Sequence, residues 1–184
     1  IFDRLVEQDA RARLHPMLAE SWNAISETVW EFKLRPGVKW HDGRDFTAED
    51  VAFTIARVPD VPNSPATFAG FVRAIRRVEI VDPLTIRFHT AEPYPLVPLD
   101  MTNVRVLDRE THENASTEDF NSGRAAVGTG PWRVVSHRQG DRIEFERFDG
   151  HWGEKPAYAR VNYRMVTNDA ARTAALLAGD VDMI

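Results

Sequence analysis

The segment LRPGVKWHDGRDFTAEDV, from Leu34 to Val51, contains signals for strands, turns and a helix in close succession. It continues a run from Val29 to Arg35 in which large apolar and charged residues alternate, as they do in a strand with one buried face. Pro36-Gly37 marks a turn, because proline lacks an amide hydrogen and glycine accepts a positive φ angle. Thr47, followed three residues later by Asp50, is typical of a helix N-cap. We therefore predict a strand, a turn, a short second strand, a second turn and a capped helix.

The same kinds of pattern predict the rest of the secondary structure. A hairpin should turn at Asp82-Pro83, because apolar residues alternate with polar ones on both sides of it. A second hairpin should turn at Gln139–Asp141. Further predicted elements are the short strand at Val38–Trp40, a helix end or connecting segment over Ile1–Glu7, a short helix within His15–Trp22, a helix burying Phe68, Phe71, Val72 and Ile75, a short helix capped near Ser116, a strand over Val161–Val166, and a helix over Ala170–Ala178 that Gly179 ends.

The composition is that of a folded, mildly acidic protein. The 184 residues are 43% hydrophobic and 28% charged, which suffices for one or two packed cores. The net charge of -5 argues against a general nucleic-acid-binding protein, which would carry a basic face. There is no cysteine, so a disulfide scaffold and a thiolate metal site are excluded.

The two ends of the chain suggest that it is part of a longer protein. No apolar run in the sequence is long enough to span a membrane, and Ile1 does not open a secretory leader. The residues from Val181 to Ile184 have the character of a strand that stops just after a helix. We therefore expect the chain to be a fragment whose signal peptide has been removed or lies outside it.

The densest group of ionisable side chains lies around one histidine and is the main candidate for a metal-binding or catalytic site. Histidine with carboxylates could bind a metal, but the spacing matches no metal-binding motif, and two of the carboxylates suit the positive end of the predicted helix. Gly128-Thr129-Gly130 lacks the lysine and the third glycine of nucleotide-binding loops, and no serine lies in a nucleophile elbow. We therefore predict no enzyme, no catalytic residue, no metal and no cofactor. The members of the group are His41, Asp42, Asp45, Glu49 and Asp50.

The segment from Leu34 to Val51 resembles the signature of the family-five extracellular solute-binding proteins, the peptide- and nickel-binding receptors of ATP-binding-cassette transporters. Phe148 and His151 depart from that family's usual asparagine and tyrosine, whereas Trp152 is retained. Other segments are similar to further motifs of the family and follow in the same order, namely IFDRLVEQD at residues 1–9, HPMLAESW at 15–22, VGTGPW at 127–132, ERFDGHWG at 146–153 and ALLAGDVD at 175–182.

The resemblance implies a fold and a domain organisation. The fold would be a mixed α+β lobe of the periplasmic-binding-protein-like type II class, carrying an inserted α+β subdomain. Residues 1–9 and 124–184 would belong to the core sheet of lobe I, and residues 10–123 would form the insertion. The second lobe would be absent from this chain, so the receptor would be incomplete and would bind solute weakly or not at all.

The resemblance also implies a function: the extracytoplasmic solute-binding component of an ATP-binding-cassette importer, for peptides before other solutes. Such a protein would be periplasmic, would act as a monomer without cofactor or nucleic acid, and would deliver solute to membrane permease subunits. A nickel chelate, an opine or a sugar remains an alternative solute. A receptor-like module for chemotaxis or signalling is the alternative function, with a metal-dependent hydrolase as a minor one.

The candidate ligand-binding residues lie in two irregular loops, because loops on a rigid scaffold carry recognition. One loop precedes the predicted helix near residue 70, and the other follows a proline-rich stretch. The alternative, in which Phe68 packs in the core and the other side chains are merely solvated, stays open. The candidates are Asn63, Ser64, Thr67, Phe68, Asn103 and Arg105.

Overall fold

The computed structural model describes residues 1–61 and 67–184 as a mixed arrangement of strands and short helices. Two single 3-10 turns cover Val58–Asp60 and Ala69–Phe71. The strands are β1 (Val6–Gln8), β2 (Leu14–Pro16), β3 (Ala19–Ser26), β4 (Val29–Leu34), β5 (Ile75–Asp82), β6 (Thr85–Thr90), β7 (Trp132–Arg138), β8 (Arg142–Arg147) and β9 (Arg160–Arg164). The helices are α1 (Ala48–Arg57), α2 (Val97–Asp100), α3 (Arg109–His112), α4 (Thr117–Asn121) and α5 (Asp169–Ala178).

The described residues form three antiparallel sheets. One is the two-stranded ribbon of β1 and β2, and the largest has the strand order β3-β4-β6-β5. The third contains β7, β8 and β9 in that order. Each sheet is built from strands that are close in sequence, except where β4 pairs with β6 and brings the first hairpin beside the second.

The core lies on one face of the four-stranded sheet and is organised around β4. Phe32 is fully buried, and its ring centroid lies 6.4 Å from that of Trp22 and 5.2 Å from that of Phe88. Leu34 is buried as well, whereas Lys33 between them is exposed. The strand predicted from this alternation is therefore confirmed. Burying a large apolar side chain of this kind contributes roughly 1.5–3 kcal/mol.

Helix α1 begins at the predicted cap. The Thr47 hydroxyl accepts a hydrogen bond from the Glu49 amide, and the Asp50 carboxylate accepts one from the Thr47 amide, which completes a capping box. Val51 and Ile55 are buried on the inner face of the helix. After Arg57 the chain tightens into a 3-10 turn that contains Pro59, which has no amide hydrogen to continue the α-helix.

Several other predicted elements are confirmed. The hairpin of β5 and β6 turns at Asp82-Pro83, and that of β7 and β8 turns between residues 138 and 142. Ser116 caps α4, and Asn168 caps α5. Strand β9 overlaps the predicted strand segment and begins one residue before it, and α5 ends at Gly179, whose φ of 79° is a left-handed C-cap.

Five predictions of local structure are wrong, in whole or in part. The segment with Phe68 at its start forms one 3-10 turn, because Ile75 pairs with Thr90 at the end of β6 and draws the chain into a strand. The predicted helix within residues 15–22 is extended, because Trp22 pairs with Phe32. The connecting segment at the start of the chain contains strand β1. Residues 38–40 form only a single bridge, between Lys39 and Asp45, and residues 181–184 form no strand.

The proposed division of the chain into core-sheet and inserted segments remains a prediction. Leu5 and Val6 share one hydrophobic cluster with residues from Leu18 to Val106. No residue of β7, β8 or β9 belongs to that cluster, whereas Trp152, in the connection between β8 and β9, packs against it. Among the described helices, none has the length and apolar character that crossing a bilayer requires.

Candidate functional site

The glycine-rich segment Gly128–Gly130 meets the turn at His41. The His41 backbone amide donates to the Gly128 carbonyl over 2.9 Å, and the Gly128 amide donates to Nδ1 of the His41 ring over 3.2 Å. The Nε2–H group of the ring donates to the Gly130 carbonyl over 2.9 Å. Burial lowers the pKa of His41, which favours the neutral ring that this pattern requires. Two of the sequence motifs are thus joined by one histidine.

Asp3 joins the glycine-rich motif and the motif around Trp152 to the start of the chain. Its buried carboxylate accepts hydrogen bonds from the Thr129 hydroxyl over 3.0 Å and from the Trp152 indole N–H over 3.1 Å. The guanidinium of Arg35 lies 4.6 Å from the centroid of the Trp152 ring, within cation–π distance. We name the contacts of His41, Asp3, Thr129 and Trp152 the motif junction. It joins four of the motif segments, those that contain residues 3, 41, 129 and 152, through hydrogen bonds.

The structure distributes the ionisable group around His41 among separate partners. No group of three or more potential metal-binding side chains occurs among the residues at positions 1–61 and 67–184. Burial raises the pKa of Asp50, whose carboxylate also accepts a hydrogen bond from the Arg109 amide over 3.0 Å. These side chains therefore serve as local structural contacts. Their partners are Gly130 for His41, Arg44 for Asp42, Lys39 for Asp45, Arg109 for Glu49 and Thr47 for Asp50.

Two of the predicted ligand-binding residues, Asn103 and Arg105, are exposed on the loop between α2 and α3. The Arg105 guanidinium donates to the Thr102 carbonyl over 3.4 Å, and the Arg4 guanidinium donates to the same oxygen over 2.9 Å. Burial and the neighbouring positive charge of Arg4 lower the pKa of Arg105. The side-chain amide nitrogen of Asn103 donates a hydrogen bond to the Thr102 hydroxyl over 3.3 Å. Both predicted side chains therefore have positions fixed by local hydrogen bonds.

The other loop is described from Thr67 onward, so the predicted residues Asn63 and Ser64 lie outside the described residues. Phe68 is 53% exposed, and its ring centroid lies 6.0 Å from that of Phe71. The Thr67 hydroxyl accepts a hydrogen bond from the amide of residue 69 over 3.1 Å. The alternative that places Phe68 in the core is therefore wrong, and an aromatic ring faces solvent at this end of the sheet.

The two loops are linked through residues that the sequence analysis did not select. The Tyr94 hydroxyl donates to the Asp100 carboxylate over 2.9 Å, and the Asn103 amide donates to the Asp100 carbonyl over 3.0 Å. The hydrogen bond to Asp100 raises the pKa of Tyr94, and burial raises the pKa of Asp100. The positive charge of Arg73 lowers both pKa values. Arg73 lies five residues after Phe68. Arg73 and Tyr94 line the same cleft, so the chain just after the first loop lies near the second loop.

Different signals could have pointed to the missed residues. Tyr94 is the aromatic residue of the proline-rich stretch before α2, and an aromatic residue in a loop is a common binding element. Asp3 occupies the acidic position of the family's opening motif. Arg73 belongs to a basic spot in the sequence with Arg76 and Arg77, but its proximity to Asp100 depends on how β5 and β6 pair.

The sequence matches the protein-family model described as bacterial extracellular solute-binding proteins, family 5 middle, over residues 13–184. The dipeptide-binding protein of Escherichia coli strain K12 is 29% identical over 202 residues, covering 96% of this chain and 37% of that protein. The nickel-binding periplasmic protein of the same strain is 26% identical over 190 residues, covering 100% of this chain and 35% of that protein.

Solved structures give the same result. MoaA of A. tumefaciens R10, in complex with mannopinic acid, superimposes with a TM-score of 0.87 at 30% identity, covering 99% of this chain and 38% of that one. NikZ of Campylobacter jejuni, in complex with Ni(L-His), gives a TM-score of 0.85 at 27% identity, with coverages of 98% and 36%. The chain thus spans between 35% and 38% of the length of these four proteins. The motifs follow in the family's order, the fold agrees with that of the solved structures, and the family model matches nearly the whole chain. This chain therefore belongs to the family 5 bacterial extracellular solute-binding proteins.

Proposed function

We propose that the full-length protein is the extracytoplasmic solute-binding component of an ATP-binding-cassette importer, and that its solute is a peptide. The observation that carries the proposal is the family match, which runs without interruption from residue 13 to residue 184. Relatives named for dipeptide and oligopeptide binding support the solute class. In this proposal the protein works outside the cytoplasm as a monomer and delivers solute to permease subunits in the membrane.

The geometry supports a role for this chain as one wall of a solute cleft. Thr67, Phe68, Asn103 and Arg105 are exposed side chains on loops that contain local hydrogen bonds. An exposed aromatic ring and an exposed guanidinium are side chains that enclose and orient a peptide. A second lobe, supplied by the remainder of the protein, would close over them and exclude water. Recognition therefore needs no nucleophile and no bound metal on this wall.

The proposal is tested by a thermal-shift screen of the full-length protein against separate pools of di- to oligopeptides, nickel with histidine, and opines. A ligand at a hundredfold excess over its dissociation constant stabilises the folded state by roughly 3 kcal/mol, which a melting curve detects. We expect the peptide pool to raise the melting temperature. A shift with nickel and histidine or with opines alone would contradict the peptide assignment, and no shift from any pool would contradict transport of these solute classes.

A matched pair of variants tests the wall itself. Phe68→Ala removes an exposed ring on the proposed wall, and Tyr158→Ala removes an even more exposed ring far along the chain, beyond β8. We expect the first to reduce the ligand-induced shift and the second to leave it unchanged. Equal shifts in both variants would remove Phe68 from the proposed solute contacts.

A further inference from the structure

The third sheet, formed by β7, β8 and β9, has one face that is rich in arginine. Side chains alternate between the two faces of a sheet, so residues that are partners across neighbouring strands share a face. Arg138 is the partner of Arg142, and Arg142 is the partner of Arg164. Three arginines on three adjacent strands therefore stand side by side at one end of the sheet. We name Arg138, Arg142 and Arg164 the arginine row.

Two more arginines lie on the same face as the row. Arg133 on β7 and Arg160 on β9 are both partners of Glu146 on β8. The Arg133 guanidinium forms an ion pair with the Glu146 carboxylate over 2.5 Å, whereas Arg160 forms none with any described residue. We name the face that carries the row, Arg133 and Arg160 the polar face. It is net positive, although the whole chain has a net charge of -5.

The arginine row is only partly neutralised by the protein. Arg142 lies 3.3 Å from the Glu144 carboxylate and 3.9 Å from that of Asp141. Arg138 and Arg164 are exposed, and neither forms an ion pair within residues 1–61 and 67–184. Like charges directly opposite each other on neighbouring strands destabilise a sheet. The row therefore costs stability, and an anion outside the sheet would relieve that cost.

The arginines of the polar face are spread over a surface. Neighbouring strands lie about 4.8 Å apart, so the guanidinium groups project side by side instead of converging on one point. Burying unpaired guanidinium groups under another part of the protein would be costly, so this face should remain in contact with water in the full-length protein. A guanidinium binds a phosphate through two parallel N–H···O bonds. The polar face therefore suits a broad surface that presents many phosphate groups.

We propose that the polar face binds the anionic phospholipid headgroups of a membrane, with Arg138, Arg160 and Arg164 as its unpaired charges. The inference rests on the proposed function in one respect, because delivery of solute to a permease brings the protein to a membrane surface. Each arginine close to an anionic membrane strengthens binding by roughly fivefold. The contact is reversible and keeps the protein near its permease between rounds of delivery.

The test is sedimentation of the full-length protein with lipid vesicles. We expect the protein to sediment with vesicles of equal parts phosphatidylglycerol and phosphatidylcholine, and to stay in solution with phosphatidylcholine alone. Raising the ionic strength from about 0.1 M to about 1 M shortens the screening length from roughly 10 Å to roughly 3 Å, so bound protein should be released. Sedimentation that depends neither on phosphatidylglycerol nor on salt would overturn the proposal.

Variants then assign vesicle binding to the polar face. Arg138→Gln and Arg164→Gln should each weaken binding to the anionic vesicles about fivefold, and Glu146→Gln, which releases Arg133, should strengthen it. Arg11→Gln removes the same charge from an exposed residue between β1 and β2 and should change binding little. Equal losses in Arg11→Gln and in the two row variants would overturn the assignment to this face.

Melting curves without lipid separate binding from folding. Arg138→Gln and Arg164→Gln remove repulsion within the row, so their melting temperatures should equal or exceed that of the unaltered protein. Weaker vesicle binding without a loss of stability would support the proposal. If Glu146→Gln leaves vesicle binding unchanged or weakens it, the electrostatic basis of the proposal is overturned, however the row variants fold.

The possible failures can be told apart. If the protein binds polyglutamate through the same arginines but does not bind anionic vesicles, its partner is an acidic protein segment and the membrane assignment is overturned. If the peptide pool raises the melting temperature but anionic vesicles are not bound, the proposed function stands and this inference fails. If vesicles are bound but no solute pool has an effect, the proposed function fails and the lipid-binding face stands.

Discussion

Replacing His41 by alanine should destabilise the fold, because the imidazole ring is bonded at both nitrogens. Nε2–H donates to the Gly130 carbonyl over 2.9 Å, Nδ1 accepts from the Gly128 amide over 3.2 Å, and the ring lies 5.1 Å from that of Phe148. An unpaired buried backbone group costs roughly 1–3 kcal/mol, and an aromatic pair contributes about 0.5–1.5 kcal/mol. Since the site is only partly buried, water would replace some of the loss, and we expect about 2–4 kcal/mol.

The assay is urea unfolding followed by tryptophan fluorescence, with a melting curve in parallel. For a protein of this size the loss corresponds to a decrease in melting temperature of about 4–16 °C. The matched control is His15→Ala, which removes a histidine whose Nε2 contacts the exposed Asp9 carboxylate over 2.9 Å. A surface pair contributes no more than about 1 kcal/mol. If both variants lose the same amount, and that amount is below about 1 kcal/mol, the reasoning on the motif junction is refuted.

His41 also gives the stability a defined pH dependence. Burial holds its pKa below the ordinary value of 6.5, so the unfolded chain takes up a proton at a higher pH than the folded protein does. The contribution of the neutral ring is therefore fully present above pH 6.5 and is lost as the pH falls through the lower pKa of the folded state. Unfolding curves at several pH values should decline more steeply with acid for the unaltered protein than for His41→Ala. Parallel declines would contradict this assignment.

Three further changes have measurable outcomes. Phe32→Ala removes a fully buried ring and should cost about 3–5 kcal/mol in urea unfolding. Gly128→Ala would place a Cβ atom 2.1 Å from the carbonyl oxygen of the first residue and should lower the melting temperature markedly, whereas Gly70→Ala, with open space around it, should change it little. Ser116→Ala should raise the pKa of Asp119 from about 2 toward its ordinary value in an NMR titration, because the Ser116 hydroxyl is the main group that lowers it.

Local sequence signals predicted the elements whose stabilising contacts are themselves local. Thr47 and Asp50 form their capping box within one helical turn, and Gly179 ends α5 through its own left-handed φ angle. The alternation of apolar and charged residues around Phe32 predicted a strand, because one face of the sheet is buried and the other is exposed to solvent.

The errors occur where a distant partner determines the local structure. The helical spacing that starts at Phe68 is overridden when Ile75 pairs with Thr90, and Trp22 is extended because it pairs with Phe32. For the same reason the approach of Arg73 to Tyr94 could not be predicted, since the two residues are brought together only by the pairing of β5 with β6. Whether the Phe68 ring is exposed also depends on how the sheet assembles, so the local sequence could not predict it.

The hydrogen bonds of Asp3 also constrain the order of folding. This carboxylate is bound by groups 126 and 149 positions further along the chain, whereas the β3–β4 and β5–β6 hairpins join residues that are close in sequence. Closing so long a loop carries a large entropic cost, so local hairpins form before such contacts do. On the ribosome Asp3 cannot complete these contacts until Trp152 has been synthesised and has left the exit tunnel. Until then the cluster that contains Leu5 and Val6 lacks the packing of Trp152, and a nascent chain at that stage is a natural client for chaperones.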